Sequence, residues 1–322
     1  MEYRSIAQLA DCLQRNLHLV PPDTDLVVGV PRSGLLAANM LALFTNRALT
    51  DVEGLVERRV LKTGARGVKR SPGEVIASAR RLLVVDDSVY CGKEMQRVRA
   101  RVAQAGLQAQ VLYAAVYVAP GAQKHVDIAF ETVALPRIFQ WNLLHHTLLS
   151  MSCFDIDGVL CVDPTGAQND DGERYADFLD HASPLADPTG EIGWLVTARL
   201  EKYRPQTQRW LRAQGIQYRQ LVMMDLPTQA ARLARGSHAS FKADVYQRCG
   251  ARLFVESDPR QAREIARLSG RPVICFGTQQ LIRPPLVQPL VRFPRRVYRR
   301  LRRTGRNLRD ALFEVRATPA VK

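Results

Sequence analysis

Two acid pairs stand out in the sequence, each directly after a short apolar run. Leu82 to Met95 reads LLVVDDSVYCGKEM, and Cys153 to Leu160 reads CFDIDGVL. In the first, Asp86 and Asp87 precede a small-residue turn, and a helical pattern begins near Gly92. Neighbouring carboxylates can hold the vicinal hydroxyls of a sugar, and the backbone of Ser88, Val89, Tyr90, Cys91, Gly92 and Lys93 can surround its phosphate at a helix start. The same two acids can also do no more than cap the next helix. In the second segment, Asp155 and Asp157 are two residues apart, so a loop at a strand end could converge them on one ion.

Other residues complement these acids. Val27 to Leu41, VVGVPRSGLLAANML, reads as a strand that ends in a Pro31-Arg32-Ser33-Gly34 turn before a helix. Such a turn sets amides and a permanent cation beside a second phosphate. Arg58 to Pro72 is a long loop rich in Gly, Lys and Arg, where Arg59, Lys62, Arg66 and Lys69 can neutralise anionic oxygens. Further along come Thr197 in LVTAR, Lys242 at the start of an expected helix Phe241 to Cys249, and Glu256-Ser257-Asp258 after another apolar run.

Strand ends must carry all these groups. From Leu26 onward, short runs of Val, Leu and Ile alternate with helical patterns, as in parallel sheets covered by helices. The expected strands are Leu26 to Val30, Leu82 to Val85 and Gln110 to Tyr117, then Met151 to Phe154, Gly193 to Val196, Gln220 to Met223, Arg252 to Val255 and Pro272 to Cys275. The fold class is therefore α/β, with two doubly wound parallel-sheet domains, 1–148 and 149–282, and a basic tail, 283–322. Trp141 to Ser150 reads as the junction.

The two turns of the first half resemble those of the type I phosphoribosyltransferase family, over roughly residues 1 to 145. That resemblance implies that Asp86 to Lys93 bind the ribose 5-phosphate part of phosphoribosyl pyrophosphate (PRPP). It further implies that Arg32, Ser33 and Gly34 bind the pyrophosphate, that the basic loop with Lys62 closes over it, and that Mg²⁺ accompanies the donor. Cys91 and Glu94 depart from the family pattern, standing where hydroxyl residues are usual.

The second half resembles the haloacid dehalogenase (HAD) phosphatases, whose motifs appear in order. By that resemblance Asp155 is the nucleophile, Asp157 the general acid and base, Thr197 a hydrogen-bond donor to the phosphoryl group and Lys242 its counter-charge. Glu256, ahead of Asp258, would complete a Mg²⁺ site with Asp155 and the carbonyl of Asp157. Only 39 residues separate Asp157 from Thr197 and 44 separate Thr197 from Lys242, too few for a large cap domain, although Asp163 to Asp187 could form a small lid. In the family this half resembles, a missing cap goes with large or tethered substrates.

Composition limits the remaining readings. The 322 residues include 46 Lys and Arg against 31 Asp and Glu, and ten of the fifteen net positive charges fall in residues 283 to 322. A basic surface spread over the whole molecule is thus excluded, and nucleic acid becomes the weaker partner class. Residues 297 to 315 set Val297, Tyr298, Leu301, Leu308, Ala311, Leu312 and Val315 on one helical face with arginines elsewhere, a pattern suited to an anionic membrane surface, to packing on the body or to an RNA-binding arm. No apolar run is long enough to span a bilayer, and MEYRSIAQLADCL lacks a signal-peptide core. The expected location is cytoplasmic, with peripheral attachment to the inner face of the cell membrane. Six scattered cysteines without a CxxC pair suggest neither a zinc ribbon nor a disulfide framework. The oligomeric state is open, a homodimer included.

Together the two resemblances imply 5-phosphoribosyl transfer followed by removal of the phosphate, as in bacterial fusions that install ribofuranose in polysaccharides. The acceptor would be a glycan, and the tail points to one that is lipid-linked. The alternatives are a nucleobase phosphoribosyltransferase with an attached nucleotide phosphatase, and a PRPP-sensing regulator that binds nucleic acid. Nucleotide synthesis with a free base favours the first alternative, and ligand binding without turnover favours the second.

Overall fold

The computed structural model describes residues 1–61, 72–234 and 238–285. Lys62, Arg66 and Lys69 of the basic loop, and the expected tail helix over 297–315, lie outside the described residues. Residues 1–284 form one compact unit.

Strands buried on both faces must be apolar nearly throughout, which is why the expected runs become strands. A short parallel pair joins β1 (Glu2–Arg4) to a later strand, while a five-stranded parallel sheet contains β2 (Leu26–Gly29), β3 (Ala48–Asp51), β4 (Arg81–Val89), β5 (Gln110–Val118) and β6 (Ile128–Thr132). Its spatial order is β3-β2-β4-β5-β6, and β1 pairs with β7 (Arg137–Phe139). The third sheet holds β8 (Ser152–Phe154), β9 (Ile192–Leu200), β10 (Tyr218–Met224), β11 (Leu253–Glu256), β12 (Val273–Cys275) and β13 (Gln280–Ile282). Its order is β10-β9-β8-β11-β12-β13, parallel except for β13. Both orders are doubly wound, and each reverses direction at one point, between β2 and β4 and between β8 and β11. In such sheets ligands bind beyond the carboxyl ends of the strands at that reversal.

The helices accompanying the first sheet are α1 (Ile6–Arg15), α2 (Ser33–Thr45), α3 (Val52–Val56), α4 (Pro72–Ser78) and α5 (Lys93–Ala103). Ala37, Ala38 and Leu41 of α2 share a core with Val27, Leu83 and Val85. Around the third sheet lie α6 (Glu173–His181), α7 (Arg204–Ala213), α8 (Gln229–Ala234), α9 (His238–Arg248) and α10 (Pro259–Ser269). Asp258 caps α10, accepting from the amides of Arg260 and Gln261, with Pro259 in the first turn where its missing N–H costs nothing.

Four expectations change in detail. β4 does not stop before the acids: it carries Asp86 and Asp87 and continues to Val89, pairing with β5 as far as Val118. β9 likewise runs past Thr197 to Leu200. α9 begins at His238, so Lys242 lies in its second turn. The segment Asp163 to Asp187 is no free lid, because Tyr175, Phe178 and Leu179 of α6 are buried in the core, and Asp171 is tied to Tyr203, Lys202 and Gln229.

The two large sheets also share packing. Tyr3, Ile138, Leu143 and Leu148 belong to the same apolar cluster as Phe154, Leu195 and Ile274. Tyr3 donates a hydrogen bond to Gln279 at 2.6 Å, and Arg283 pairs with Glu2 at 2.5 Å.

Candidate active sites

The first site forms where β2 and β4 diverge. Val30 donates its amide to the Val85 carbonyl, which draws the Pro31 to Gly34 turn against the acids of β4. A Cβ on Gly34 would stand 2.8 Å from Asp86 Oδ1 and 2.9 Å from both Asp86 Cα and the Val85 carbonyl, so only glycine fits there. Ser33, the first residue of α2, donates its hydroxyl to Asp87 Oδ1 at 2.7 Å. The structure thus brings Ser33, Gly34, Asp86 and Asp87 together.

Arg32, Tyr90, Cys91 and Lys93 are exposed around this turn, and Ser88 and Val89 complete β4. Gly92 has φ +75° and caps α5, and a Cβ there would lie 2.3 Å from the His125 ring. The awkward Glu94 is paired with Arg97 at 3.0 Å on the surface of α5. Of the basic-loop cations, Arg59 is described, and it pairs with Asp51 and Glu57.

Asp86 is buried and accepts the Asp87 amide at 2.9 Å. Burial first, and then the Asp87 carboxylate, pushes its pKa up. A raised acid binds its proton more tightly in the folded chain than in the unfolded one. Its ionisation therefore costs folding stability as pH rises above the ordinary carboxylate range. Asn can keep the same acceptor oxygen, so Asp86→Asn should be more stable than the parent at pH 8, with the gap closing as pH falls toward 4. Urea midpoints across that range check this, and a variant less stable at pH 8 would contradict it.

The second site lies at the reversal between β8 and β11. A cavity of about 530 Å³ is lined there by Asp155, Asp157, Asp163, Lys242, Asp258 and Gln261, among others. Lys242 Nζ donates to Asp155 Oδ2 at 2.6 Å and to Glu256 Oε2 at 2.7 Å, with Gln261 Oε1 at 3.3 Å. Burial pushes Asp155 up, while the Lys242 ammonium opposes it and favours the ionised form. Burial also works against the charge on Lys242, yet Asp155 and Glu256 carry it above the usual lysine range.

Thr197 and Glu256 lie behind the cavity rather than in its lining. Thr197 is fully buried and accepts the Arg199 amide at 3.2 Å. Glu256 is likewise buried, with one oxygen on Lys242 and the other near the Asp258 amide at 3.2 Å and the Ser257 hydroxyl at 3.4 Å.

Arg199, which was not singled out from the sequence, clamps Asp157. Arg199 is 1% exposed, and its guanidinium donates through Nη2 to Oδ1 at 2.6 Å and through Nε to Oδ2 at 3.1 Å. The other unforeseen partner is Trp141, whose indole donates to Asp87 Oδ2 at 2.8 Å. The signal for Arg199 was its place two residues after Thr197; for Trp141 it was an aromatic residue at the junction.

The residues of the second site suit Mg²⁺ in kind. Five carboxylates, Asp155, Asp157, Asp163, Glu256 and Asp258, face two cations, Lys242 and Arg199, so an incoming phosphate would need added positive charge. Among the described residues no three Asp, Glu, His or Cys side chains form a ready cage. A Mg²⁺ held by one or two carboxylates, with phosphate and water completing its shell, fits that arrangement.

No protein-family model matches the chain, and no curated protein matches it. Solved structures with partial similarity include the Helicobacter pylori xanthine-guanine-hypoxanthine phosphoribosyltransferase, 15% identical with a TM-score of 0.33, covering 44% of this chain and 92% of that one. A purine phosphoribosyltransferase from Pyrococcus horikoshii is 17% identical with a TM-score of 0.30, covering 44% and 94%. The orotate phosphoribosyltransferase from Aeropyrum pernix is 20% identical with a TM-score of 0.27, covering 39% and 71%. Likeness at this level transfers no activity. What the structure defines is an α/β chain with two doubly wound sheets and a candidate site at the reversal point of each. No helix among the described residues is long and apolar enough to cross a membrane.

Proposed function

We propose that the chain is a bifunctional enzyme. It transfers the 5-phosphoribosyl group of PRPP to a lipid-linked glycan and then removes the 5-phosphate, leaving ribofuranose. The observation that carries this reading is the presence of two different reversal-point sites in one compact unit, an acid pair against a Gly-Ser turn and an Asp-Lys pair lining a cavity. On this reading residues 1–148 supply the transferase site, 149–282 the phosphatase site, and 283–322 a tail that seeks an anionic membrane surface.

At the first site Asp86 and Asp87 accept the ribose hydroxyls, and the amides from Val89 to Lys93 hold the 5-phosphate. Arg32, Ser33 and Gly34 hold the pyrophosphate, with Lys62 of the basic loop as a further cation. The bond from C1 to the pyrophosphate oxygen breaks, pyrophosphate departs with its electron pair, and an acceptor hydroxyl oxygen bonds to C1 as it loses its proton. Binding the flattened ribose and the departing charge supplies the catalysis, without a protein nucleophile. The donor enters as its Mg²⁺ complex.

At the second site a carboxylate oxygen of Asp155 bonds to phosphorus as the bond to the ribose 5-oxygen breaks, and water then hydrolyses the aspartyl phosphate. Asp157 gives the leaving oxygen its proton and takes one from the water. For this Arg199 must release at least one oxygen of Asp157, and the phosphoryl oxygens of the substrate offer its guanidinium another partner. Asp155, Asp258 and the Asp157 carbonyl would hold Mg²⁺, whose contribution is to offset charge on the phosphoryl oxygens. Glu256 acts through Lys242 instead of joining that set.

Mass spectrometry of lipid-linked glycans from cells whose chain carries Asp155→Asn tests the whole sequence of steps. Glycans bearing one added phosphopentose are the expected result. Accumulation of phosphorylated nucleosides without such glycans would replace the polysaccharide reading with the nucleotide one.

A further inference from the structure

The Asp87 carboxylate is buried, and two neutral donors from distant segments hold its oxygens. Ser33 Oγ reaches Oδ1 at 2.7 Å from the start of α2, and Trp141 Nε1 reaches Oδ2 at 2.8 Å from the turn that follows β7. The Trp141 ring has little freedom. It stacks on Phe139 at 4.9 Å and 5° between planes, and Phe139 stacks on Tyr117 of β5 at 5.4 Å and 16°. Arg137 fastens this stack to the phosphate turn, with its guanidinium 5.3 Å from the Phe139 ring and Nη2 donating to the Val89 carbonyl at 3.0 Å.

We infer that Trp141 is a positioning residue for the ribose-binding carboxylate: its indole N–H sets the plane of Asp87, and the stack behind it couples that plane to the turn that holds the 5-phosphate. The inference rests on the reading of the first site as a PRPP site, and it adds a residue that neither acid pair nor Gly-Ser turn contains. The chemistry favours this role for a tryptophan. Indole is a donor only, so it orients one carboxylate oxygen and cannot compete with Asp87 for the donor hydrogens of a sugar diol. A carboxylate has room for about four hydrogen bonds, so Ser33 and Trp141 leave acceptor positions for the two ribose hydroxyls.

The test measures binding of Mg²⁺-PRPP to the full chain by calorimetry, comparing Trp141→Phe, Asp87→Asn and the double variant. Phenylalanine preserves an aromatic ring in the stack but deletes the N–H together with the rest of the five-membered ring, and the comparison in the Asp87→Asn background separates the lost hydrogen bond from the lost bulk. Losing a hydrogen bond to a charged group should weaken binding about tenfold or more. When Trp141→Phe is added to Asp87→Asn, the further loss should be less than about threefold, because the charged acceptor has gone. As a second measurement, 5-fluorotryptophan incorporated into the otherwise unchanged chain gives three fluorine resonances, one for each tryptophan. The resonance lost in Trp141→Phe should shift on saturation with Mg²⁺-PRPP. Equal affinity of Trp141→Phe and parent, an equal loss from Trp141→Phe with and without Asp87→Asn, or an unmoved Trp141 resonance at saturation would each overturn the positioning role while leaving the PRPP site standing. Absence of PRPP binding by the parent chain would remove the reading of the site itself, and the inference with it.

Discussion

Phosphate release from the phosphoribosylated acceptor by the purified Asp155→Asn protein is expected to fall by at least about 10⁴-fold, whereas pyrophosphate release from PRPP in the presence of acceptor stays within about twofold. The first half of this expectation follows from nucleophilic chemistry. Asparagine has nearly the shape of aspartate but no carboxylate oxygen to attack phosphorus, and no second acid in the cavity stands in the same contact with Lys242. The second half follows from topology, because Asp155 follows β8 of the third sheet, while the residues proposed for transfer belong to β4 and the turn after β2. Retention of more than about a hundredth of the parent phosphatase rate would rule out Asp155 as the nucleophile.

Replacing Lys242 by methionine is expected to have the largest effect on stability, a loss of about 3–5 kcal/mol in urea unfolding. Lys242 is 2% exposed, and its ammonium lies between two buried acids, 2.6 Å from Asp155 and 2.7 Å from Glu256. Methionine fills much of the space but leaves both carboxylates without their cation in a low-dielectric setting. Lys242→Met combined with Glu256→Gln should recover part of the loss, since one buried charge then disappears with its partner. A single variant within about 1 kcal/mol of the parent would show that the ammonium does not hold these acids together.

The strands were legible because parallel strands covered on both faces consist of continuous apolar runs. LVVG and QVLYAAVY could be read without knowing their partners, and they form β2 and all but the last residue of β5. β3, β6 and β13, with ALTD, IAFET and QLI, lie at sheet edges, where a short or mixed stretch has no such pattern. At the sites, acids at strand ends were visible as local motifs. Their partners were not, because contact is set by the fold: Arg199 lies 42 residues from Asp157, and Trp141 lies 54 from Asp87. The burial of Glu256 behind Lys242, which takes it out of the cavity lining, was hidden for the same reason.

The contact of Tyr3 with Gln279 has a consequence for how the protein is made. A ribosome releases the chain from its amino end, and β1 can pair with β7 once residue 139 has emerged. Tyr3 nevertheless has to wait for a hydrogen-bond partner translated 276 residues later. β1 is thus synthesised well before its packing can be completed, and during that interval the ring of Tyr3 is open to whatever escorts nascent chains.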